Sequence, residues 1–215
     1  MRAREMILAG AVLLAVGVVS VVSSASAAEI RIDLGGVNIR YDGINIMDAG
    51  TVAAPDPLDT ATFVKDGVTK GMDTTGVTLD LWIPGVSGIP ATGDISGTVY
   101  SAAGGYLKLD LGGGEFLSLT LDSVEIDYTL KSSTLKFILA TSSSSTIVGQ
   151  SLPYDLSLGN PVSITFSTQV SQRTSAGGYI TGFLSAGTGN IVPEPATLGL
   201  LAFGAVVLFR RRRAA

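Results

Sequence analysis

The sequence predicts an all-β protein: an antiparallel β-sandwich of the jelly-roll type, flanked by an N-terminal signal peptide and a short C-terminal transmembrane helix. Three observations predict this fold. Apolar residues recur at every second position in about ten short runs, which is the period of a strand with one buried face. Glycine-rich breaks separate the runs, and the 215 residues include 27 glycines. No stretch between the two ends combines a 3.6-residue period with helix caps. A barrel is the second choice of architecture.

The first 27 residues have the layout of a secretory signal peptide. Arg2 and Arg4 form a basic start, and residues 6–22 are uncharged and mostly apolar. Ala25 and Ala27 then supply the small residues of an A-x-A cleavage site, so signal peptidase is expected to leave Ala28 or Glu29 as the first residue. The alternative is an uncleaved anchor, because the apolar run is near the lower limit for a membrane span.

Residues 29–65 predict strands separated by turn signals. Gly35-Gly36 is expected to break the chain after the first strand. Asp42-Gly43 favours a two-residue hairpin loop with positive φ at both positions. Two prolines within residues 48–59 predict an irregular loop. The predicted strands are Glu29–Leu34, Val37–Tyr41, Ile44–Met47 and Thr60–Lys65.

The central region predicts a strand over Val77–Ile83, a Gly/Pro-rich loop over 84–93, a weaker strand over Asp94–Tyr100 and then a meander. Four alternating runs within Tyr106–Ala140 are joined by short turns, which is typical of four consecutive antiparallel strands with one buried face. The opposite face carries charged residues and should be solvated.

The remaining body predicts a Ser/Thr loop over 141–146, an extended crossing over 151–161 and two last strands over 162–170 and 178–185. The predicted domain organisation follows from these boundaries. It consists of a signal peptide (1–27), a β-sandwich domain (28–186), a short flexible linker (187–192) and a sorting segment (193–215).

Composition excludes several classes of function. The sequence has no cysteine and no histidine, which removes disulfides, Ser-His-Asp and Cys-His triads and the usual zinc sites. Six of the 14 basic residues but only two of the 18 acidic residues lie outside residues 28–192, so this body carries a net charge near −8. Such a charge disfavours nucleic acid as a partner.

The C-terminal segment combines three features in a fixed order. Pro193, Glu194 and Pro195 precede fourteen uncharged residues, Ala196–Phe209. The basic cluster Arg210, Arg211, Arg212 and Arg213 follows two residues before the end. Over residues 192–215 this layout resembles the PEP-CTERM sorting signal. An ordinary single-pass tail anchor is the alternative interpretation.

The resemblance implies export by the general secretory route and processing by an exosortase, a membrane protease that would cut near the Pro-Glu-Pro step. It also implies a host that makes exopolysaccharide or biofilm. The length of the segment supports processing independently. Fourteen helical residues reach about 21 Å, which is short of a hydrocarbon core near 30 Å, so the segment suits a brief anchor better than a permanent one. Basic residues at both ends favour the cytoplasm, which leaves the body outside the membrane.

Acidic residues are the most frequent functional groups in the loops. Asp59, Asp66, Asp73 and Asp80 recur every seven residues, and Asp56 lies nearby. Carboxylates of this kind suit Ca²⁺, but no calcium-loop motif matches. The sequence therefore predicts surface and turn aspartates and no cofactor, with Ca²⁺ as the alternative.

Two other groups have functional interpretations. Glu125 and Asp127 share one strand face and would suit a paired-carboxylate glycosidase, but cross-strand charge pairs with Lys108 and Lys136 are the preferred interpretation. Trp82 faces away from the core side of its strand, so it is either a ligand contact or covered by the loop of residues 84–93. A sugar-binding aromatic platform would combine Trp82 with Tyr100, Tyr106 and Tyr179.

The sequence thus predicts a non-enzymatic, exported protein, transiently anchored in the inner membrane and then delivered to the cell surface or extracellular matrix. Its predicted role is structural or adhesive within exopolysaccharide or biofilm. A carbohydrate-binding module is the first alternative and a secreted glycan hydrolase is the second.

Overall fold

The computed structural model describes residues 29–51, 54–131, 134–140 and 145–194. The predicted signal peptide with Ala25 and Ala27 lies outside these residues. So do Pro195, the predicted transmembrane helix and the cluster Arg210, Arg211, Arg212 and Arg213. Within the described ranges, no helix has the length and apolar character needed to cross a membrane.

The described residues form fourteen strands, and no helix is found among them. The strands are β1 (Ile30–Tyr41), β2 (Ile46–Asp48), β3 (Asp56–Pro57), β4 (Thr60–Lys65), β5 (Val68–Asp73), β6 (Thr78–Ile83), β7 (Ile95–Tyr100), β8 (Gly105–Gly112), β9 (Glu115–Leu121), β10 (Glu125–Lys131), β11 (Thr134–Ala140), β12 (Thr146–Ser151), β13 (Val162–Ala176) and β14 (Tyr179–Pro193). The predicted all-β class is confirmed.

Antiparallel pairing joins all the strands into one sheet. Its order is β12-β9-β8-β6-β2-β1-β14-β13-β11-β10-β7. Three strands lie off this path: β3 pairs with β6, β4 pairs with the first half of β1, and β5 pairs with β4. The two long strands β13 and β14 form the centre, and each contains fifteen residues.

One hydrophobic core draws on both ends of this sheet. Leu107 and Leu119 come from β8 and β9, whereas Ile126 and Phe166 come from β10 and β13 on the other side of β14. Because distant strands bury side chains in the same cluster, the sheet must curl around its core. The alternating pattern explains this burial, since every second residue of a strand points to the same face.

The predicted four-stranded meander is wrong in its middle connection. β8 and β9 form a hairpin and β10 and β11 form another, but β9 pairs onward with β12 and β10 pairs onward with β7. The chain crosses between them where Ser101 N donates to Val124 O at 2.9 Å, next to the end of β7. A period of two specifies which face is buried, but it does not specify the neighbouring strand.

The predicted break at Gly35-Gly36 is instead a β-bulge inside a continuous strand. β1 runs for twelve residues, and its register with β14 shifts between Gly35 and Val37. Gly36 has φ +73°, and a Cβ there would meet the Asp59 carboxyl group at 2.5 Å. The glycines thus permit a local bend and a close approach without ending the strand.

The hairpin at Asp42-Gly43 exists, but its loop is longer than predicted. Tyr41 pairs with Ile46, so four residues connect the strands. The Asp42 carboxylate accepts hydrogen bonds from the backbone N–H groups of Ile44 and Asn45 and so stabilises the wider turn. The two-residue loop with two positive φ angles occurs instead at Asp66-Gly67, between β4 and β5.

The predicted flexible linker over residues 187–192 is also wrong, because these residues are the last part of β14. They pair with β1 on one side and with β13 on the other. The small residues suggested flexibility, but they serve close packing. A Cβ at Gly189 would clash with the Phe166 ring, and one at Gly187 would clash with Ser167 O.

Candidate functional site

The sorting motif begins inside the sheet. Pro193 is the last residue of β14 and pairs with Val162, and Glu194 N donates to Pro161 O at 2.9 Å. Two residues earlier, Ile191 is fully buried between Ile32 and Ile164. The first two residues of the Pro-Glu-Pro step are therefore attached to the central strands, whereas Pro195 lies outside the described residues.

A second group of functional side chains lies on the outward face of β6 and β8. Leu81 and Ile83 are buried, so Trp82 between them projects away from the core. It pairs with Tyr106, and the two ring centroids are 6.1 Å apart. The structure thus brings together two members of the predicted aromatic platform.

The other two predicted platform residues lie elsewhere. Tyr100 ends β7 and pairs with Glu125 of β10. Tyr179 begins β14 and forms an isolated bridge with Pro90. The four-residue platform is therefore wrong, because β7 and the start of β14 are separated from β6 and β8 by other strands of the sheet.

The loop over residues 84–93 packs toward the core. Val86 and Ile89 are fully buried, and Val86 O lies 2.9 Å from the Tyr41 hydroxyl oxygen. The aromatic ring that contacts Trp82 belongs to Tyr106 of β8 and not to the loop. Trp82 is partly exposed and remains a candidate ligand contact.

Charged groups flank the aromatic pair on the same face. Asp80 pairs with Lys108 across β6 and β8, and their side chains approach to 3.6 Å. The Lys108 ammonium also lies 4.7 Å from the centre of the Tyr106 ring, within the range of a cation–π contact. Burial raises the pKa of Tyr106 above its usual value, and a hydrogen bond to Asp80 and the charge of that carboxylate add to the increase.

A groove of about 580 Å³ continues from this cluster toward the β8–β9 turn. Asp80 and Lys108 line the side next to the aromatic pair, and Phe116, which is 42% exposed, lies opposite Asp110 nearer the turn. The turn residues Gly112–Gly114 all have positive φ and leave the end of the groove without side chains. Trp82 and Tyr106 lie outside the groove lining, next to Asp80 and Lys108 on the same face. Aromatic rings with polar groups between them can hold a ligand by stacking and by hydrogen bonds.

Sequence reasoning missed this groove, although part of the signal was present. The alternation around Trp82 placed its side chain outward. The pairing of Asp80 with Lys108 and of Trp82 with Tyr106 depends on the register of β6 against β8. Twenty-one residues separate β6 from the start of β8, and the intervening β7 pairs elsewhere, so local pattern does not fix this register.

Glu125 and Asp127 do not pair with Lys108, and the residue of β10 opposite Lys136 is Thr129. Their cross-strand neighbours on β7 are Tyr100 and Thr98, and Asp127 accepts a hydrogen bond from the Thr98 hydroxyl. The charge of Glu125 is the main reason why the pKa of Tyr100 is raised. Lys108 interacts with Asp80 instead, because β8 lies near the opposite end of the sheet order.

Asp56 and the regularly spaced aspartates have separate structural roles. Asp56 accepts a hydrogen bond from the Asn38 amide, and burial raises the pKa of Asp56. Asp66 accepts one from Glu29 N, and Asp73 lies 3.5 Å from the Tyr154 hydroxyl. Among the described residues, no three histidine, cysteine, aspartate or glutamate side chains gather closely enough to hold a metal ion.

Comparison with known proteins bears on the end of the chain. A family model described as the PEP-CTERM protein-sorting motif matches residues 192–213. Searches of curated proteins and of solved structures return no match. The chain therefore carries a PEP-CTERM protein-sorting motif, which implies export, transient membrane anchoring and processing by an exosortase.

Proposed function

We propose that this protein is delivered to the cell surface or extracellular matrix and has a structural or adhesive role there, in exopolysaccharide or biofilm. The observation that supports the proposal is the sorting motif at residues 192–213, joined without a spacer to the central strand of the folded body. We treat the curled sheet as a jelly-roll-like β-sandwich that acts without catalysis.

Delivery requires two processing partners. Signal peptidase would cut after Ala27 and so remove residues 1–27. An exosortase would then act at the Pro-Glu-Pro step. During this interval the body is outside the inner membrane, and the basic cluster at residues 210–213 stays in the cytoplasm. The apolar segment is short for a permanent anchor, which favours its removal.

The fold restricts where the exosortase would cut. Pro193 pairs with Val162, and Glu194 N is bonded to Pro161 O, so cleavage before these residues requires opening of the last part of β14. Among the described residues, the bond from Glu194 N to Pro161 O is the last backbone hydrogen bond along this segment. We infer that the mature chain ends at Glu194 or a few residues later.

A motif variant tests the sorting step. Glu194→Gln keeps the backbone N–H that bonds to Pro161 but removes the acidic group of the motif. We expect wild-type protein in the surface and matrix fractions and Glu194→Gln protein in the inner-membrane fraction. Arg173→Gln is the control, because it also replaces one charged side chain by glutamine but lies on the exposed part of β13, far from the motif. Equal release of all three proteins would contradict exosortase sorting.

The matrix role is tested in cells that lack the protein. We expect their biofilm or floc to disperse under lower shear, and we expect wild-type protein, but not Glu194→Gln, to restore cohesion. Unchanged cohesion in the deletion strain would contradict a structural or adhesive role, even if sorting is correct.

A carbohydrate-binding module is the second candidate, and the Trp82–Tyr106 pair beside the groove favours it. A secreted glycan hydrolase is the third candidate. Hydrolysis of matrix polysaccharide that disappears in Glu125→Gln would support the enzyme and would contradict the non-catalytic proposal.

A further inference from the structure

We propose that the outward face of β6, β8 and β9 binds a neutral, hydroxyl-rich polysaccharide chain, which lies across the Trp82–Tyr106 pair and continues into the adjoining groove. This inference rests on the proposed delivery to the extracellular matrix and assigns the ligand class and the residues of the binding site.

The aromatic residues of this face are placed where folding does not require them. The inward residues of β6 and β8, among them Leu81 and Leu107, already fill the core. Trp82 and Tyr106 are directly paired on the other face, which in a solvated sheet carries polar side chains. A flat indole and a phenol side by side offer a stacking surface for the C–H face of a pyranose ring.

The polar residues of the groove supply the hydrogen-bonding groups that sugar hydroxyls need. Asp80 and Asp110 provide acceptors, Lys108 provides donors, and Thr78 and Ser118 provide hydroxyl groups. The Asp80 carboxylate lies 3.6 Å from the Lys108 ammonium and interacts with Tyr106, so these polar groups are already gathered next to the aromatic pair. Such polar groups orient a ligand in a mostly apolar site.

The charge of the groove favours a neutral ligand. Asp80, Asp110 and Glu115 face a single cationic residue, Lys108, among the residues that line it. The body as a whole is also strongly acidic. An anionic polysaccharide would meet like charge both at long range and inside the groove. A neutral glycan does not encounter this repulsion.

The shape of the groove favours a chain over a single sugar. The strand distance from Tyr106 to Asp110 is about 14 Å at roughly 3.4 Å per residue. Phe116 adds another exposed ring opposite Asp110, and the glycines at residues 112–114 leave this end open. An aromatic surface at each end with polar groups between them matches successive rings of one polymer.

Trp82 makes the test specific, because it is the only tryptophan in the sequence. Its fluorescence therefore reports the proposed site directly. The ligand probe is polysaccharide from the producing cells' own matrix, separated by anion exchange into neutral and acidic fractions. We expect the neutral fraction, and not the acidic one, to change the emission of the secreted protein.

Variants locate the site by affinity electrophoresis in gels that contain the neutral fraction. We expect Trp82→Ala and Tyr106→Ala each to weaken retention at least tenfold. Tyr100→Ala is the matched control, because Tyr100 is an exposed tyrosine on β7 outside the groove, and it should bind as the wild type does. Equal thermal midpoints of the four proteins would show that lost binding is not lost folding.

Three results would overturn the proposal: no retention by the neutral fraction, retention that all three variants share, or binding only to the acidic fraction or to a matrix protein. Correct release of an unretained protein would leave the sorting proposal intact and remove only the glycan site. Retention of an unprocessed chain would support the site and contradict the sorting proposal.

Discussion

Tyr41 connects three parts of the fold through one side chain. It is buried, its hydroxyl oxygen lies 2.8 Å from Gly43 O and 2.9 Å from Val86 O, and its ring centroid is 5.2 Å from that of Phe183. Burial raises its pKa above the usual value of 10.0, and the charge of Asp42 adds to this. The phenol therefore stabilises the fold in its protonated form.

This raised pKa predicts a loss of stability in alkali. Above about pH 10 the phenol ionises in the unfolded chain before it ionises in the folded one, so its contribution is present below pH 10 and falls as the pH rises through the folded pKa. Tyr41→Phe should lower the free energy of unfolding at pH 7 by about 1 kcal/mol through the lost hydrogen bond. Urea unfolding across pH 8–11 should show a smaller alkaline decline in Tyr41→Phe, and parallel declines would contradict the role of this group.

Outward residues show what local pattern determines and what it leaves open. The period of two correctly placed Trp82 on the face opposite Leu81 and Ile83. It gave no information about the neighbours of Trp82, because these depend on the register between β6 and β8. The candidate binding face was therefore predictable as one exposed aromatic residue but not as a groove.

The strands illustrate the same division. Most of the alternating runs form strands in the structure. Strand β5 was not predicted, because Val68–Asp73 is largely exposed, pairs only with β4 and so has no alternating apolar pattern. Chain order predicted β9 beside β10, whereas β9 pairs with β12. Partner choice arises from how the curled sheet closes its core, and this is a property of distant segments.

An engineered disulfide tests the pairing of β9 with β12. Thr120 and Thr146 are opposite each other in the register, and the natural sequence has no cysteine. Directly opposite residues have Cβ atoms about 4.5–5.5 Å apart, close to what a disulfide needs. We expect Thr120→Cys with Thr146→Cys to oxidise to an intramolecular disulfide, detected as a mass loss of about 2 Da without a dimer. Thr120 and Glu125 would be opposite each other in a meander that turns at Asp122-Ser123, but in the structure they pair with different strands. Thr120→Cys with Glu125→Cys should therefore remain reduced, and the opposite result would restore the meander.

The glycines of β14 predict a packing effect. At Gly189 a Cβ would clash with the Phe166 ring, whereas at Gly159 a Cβ would meet no atom within 4 Å. Gly189→Ala should therefore lower the free energy of unfolding by about 1–3 kcal/mol, as overpacking does. Gly159→Ala should be nearly neutral. Equal effects in urea unfolding would contradict the packed end of β14 and favour a flexible linker.

For the whole molecule, the consequence is that body and sorting segment are joined without a spacer. The sequence correctly predicted the motif, because three consecutive features identify it locally. It wrongly predicted a linker before the motif, because glycines such as Gly187 and Gly189 favour flexibility when they are considered in isolation. In the fold, the same glycines allow β14 to pack closely between β1 and β13. The first residues of the matched motif, Val192 to Glu194, therefore belong to the folded body itself.

Intact-mass analysis of protein recovered from the extracellular fraction tests this most directly. We predict a single mature species that begins at Ala28 or Glu29, retains all of β14 and ends at Glu194 or a few residues beyond, without the arginines at 210–213. A chain that retains those arginines would rule out processing. A chain that ends before Val192 would show that the exosortase opens the sheet, which contradicts a motif fixed to the fold.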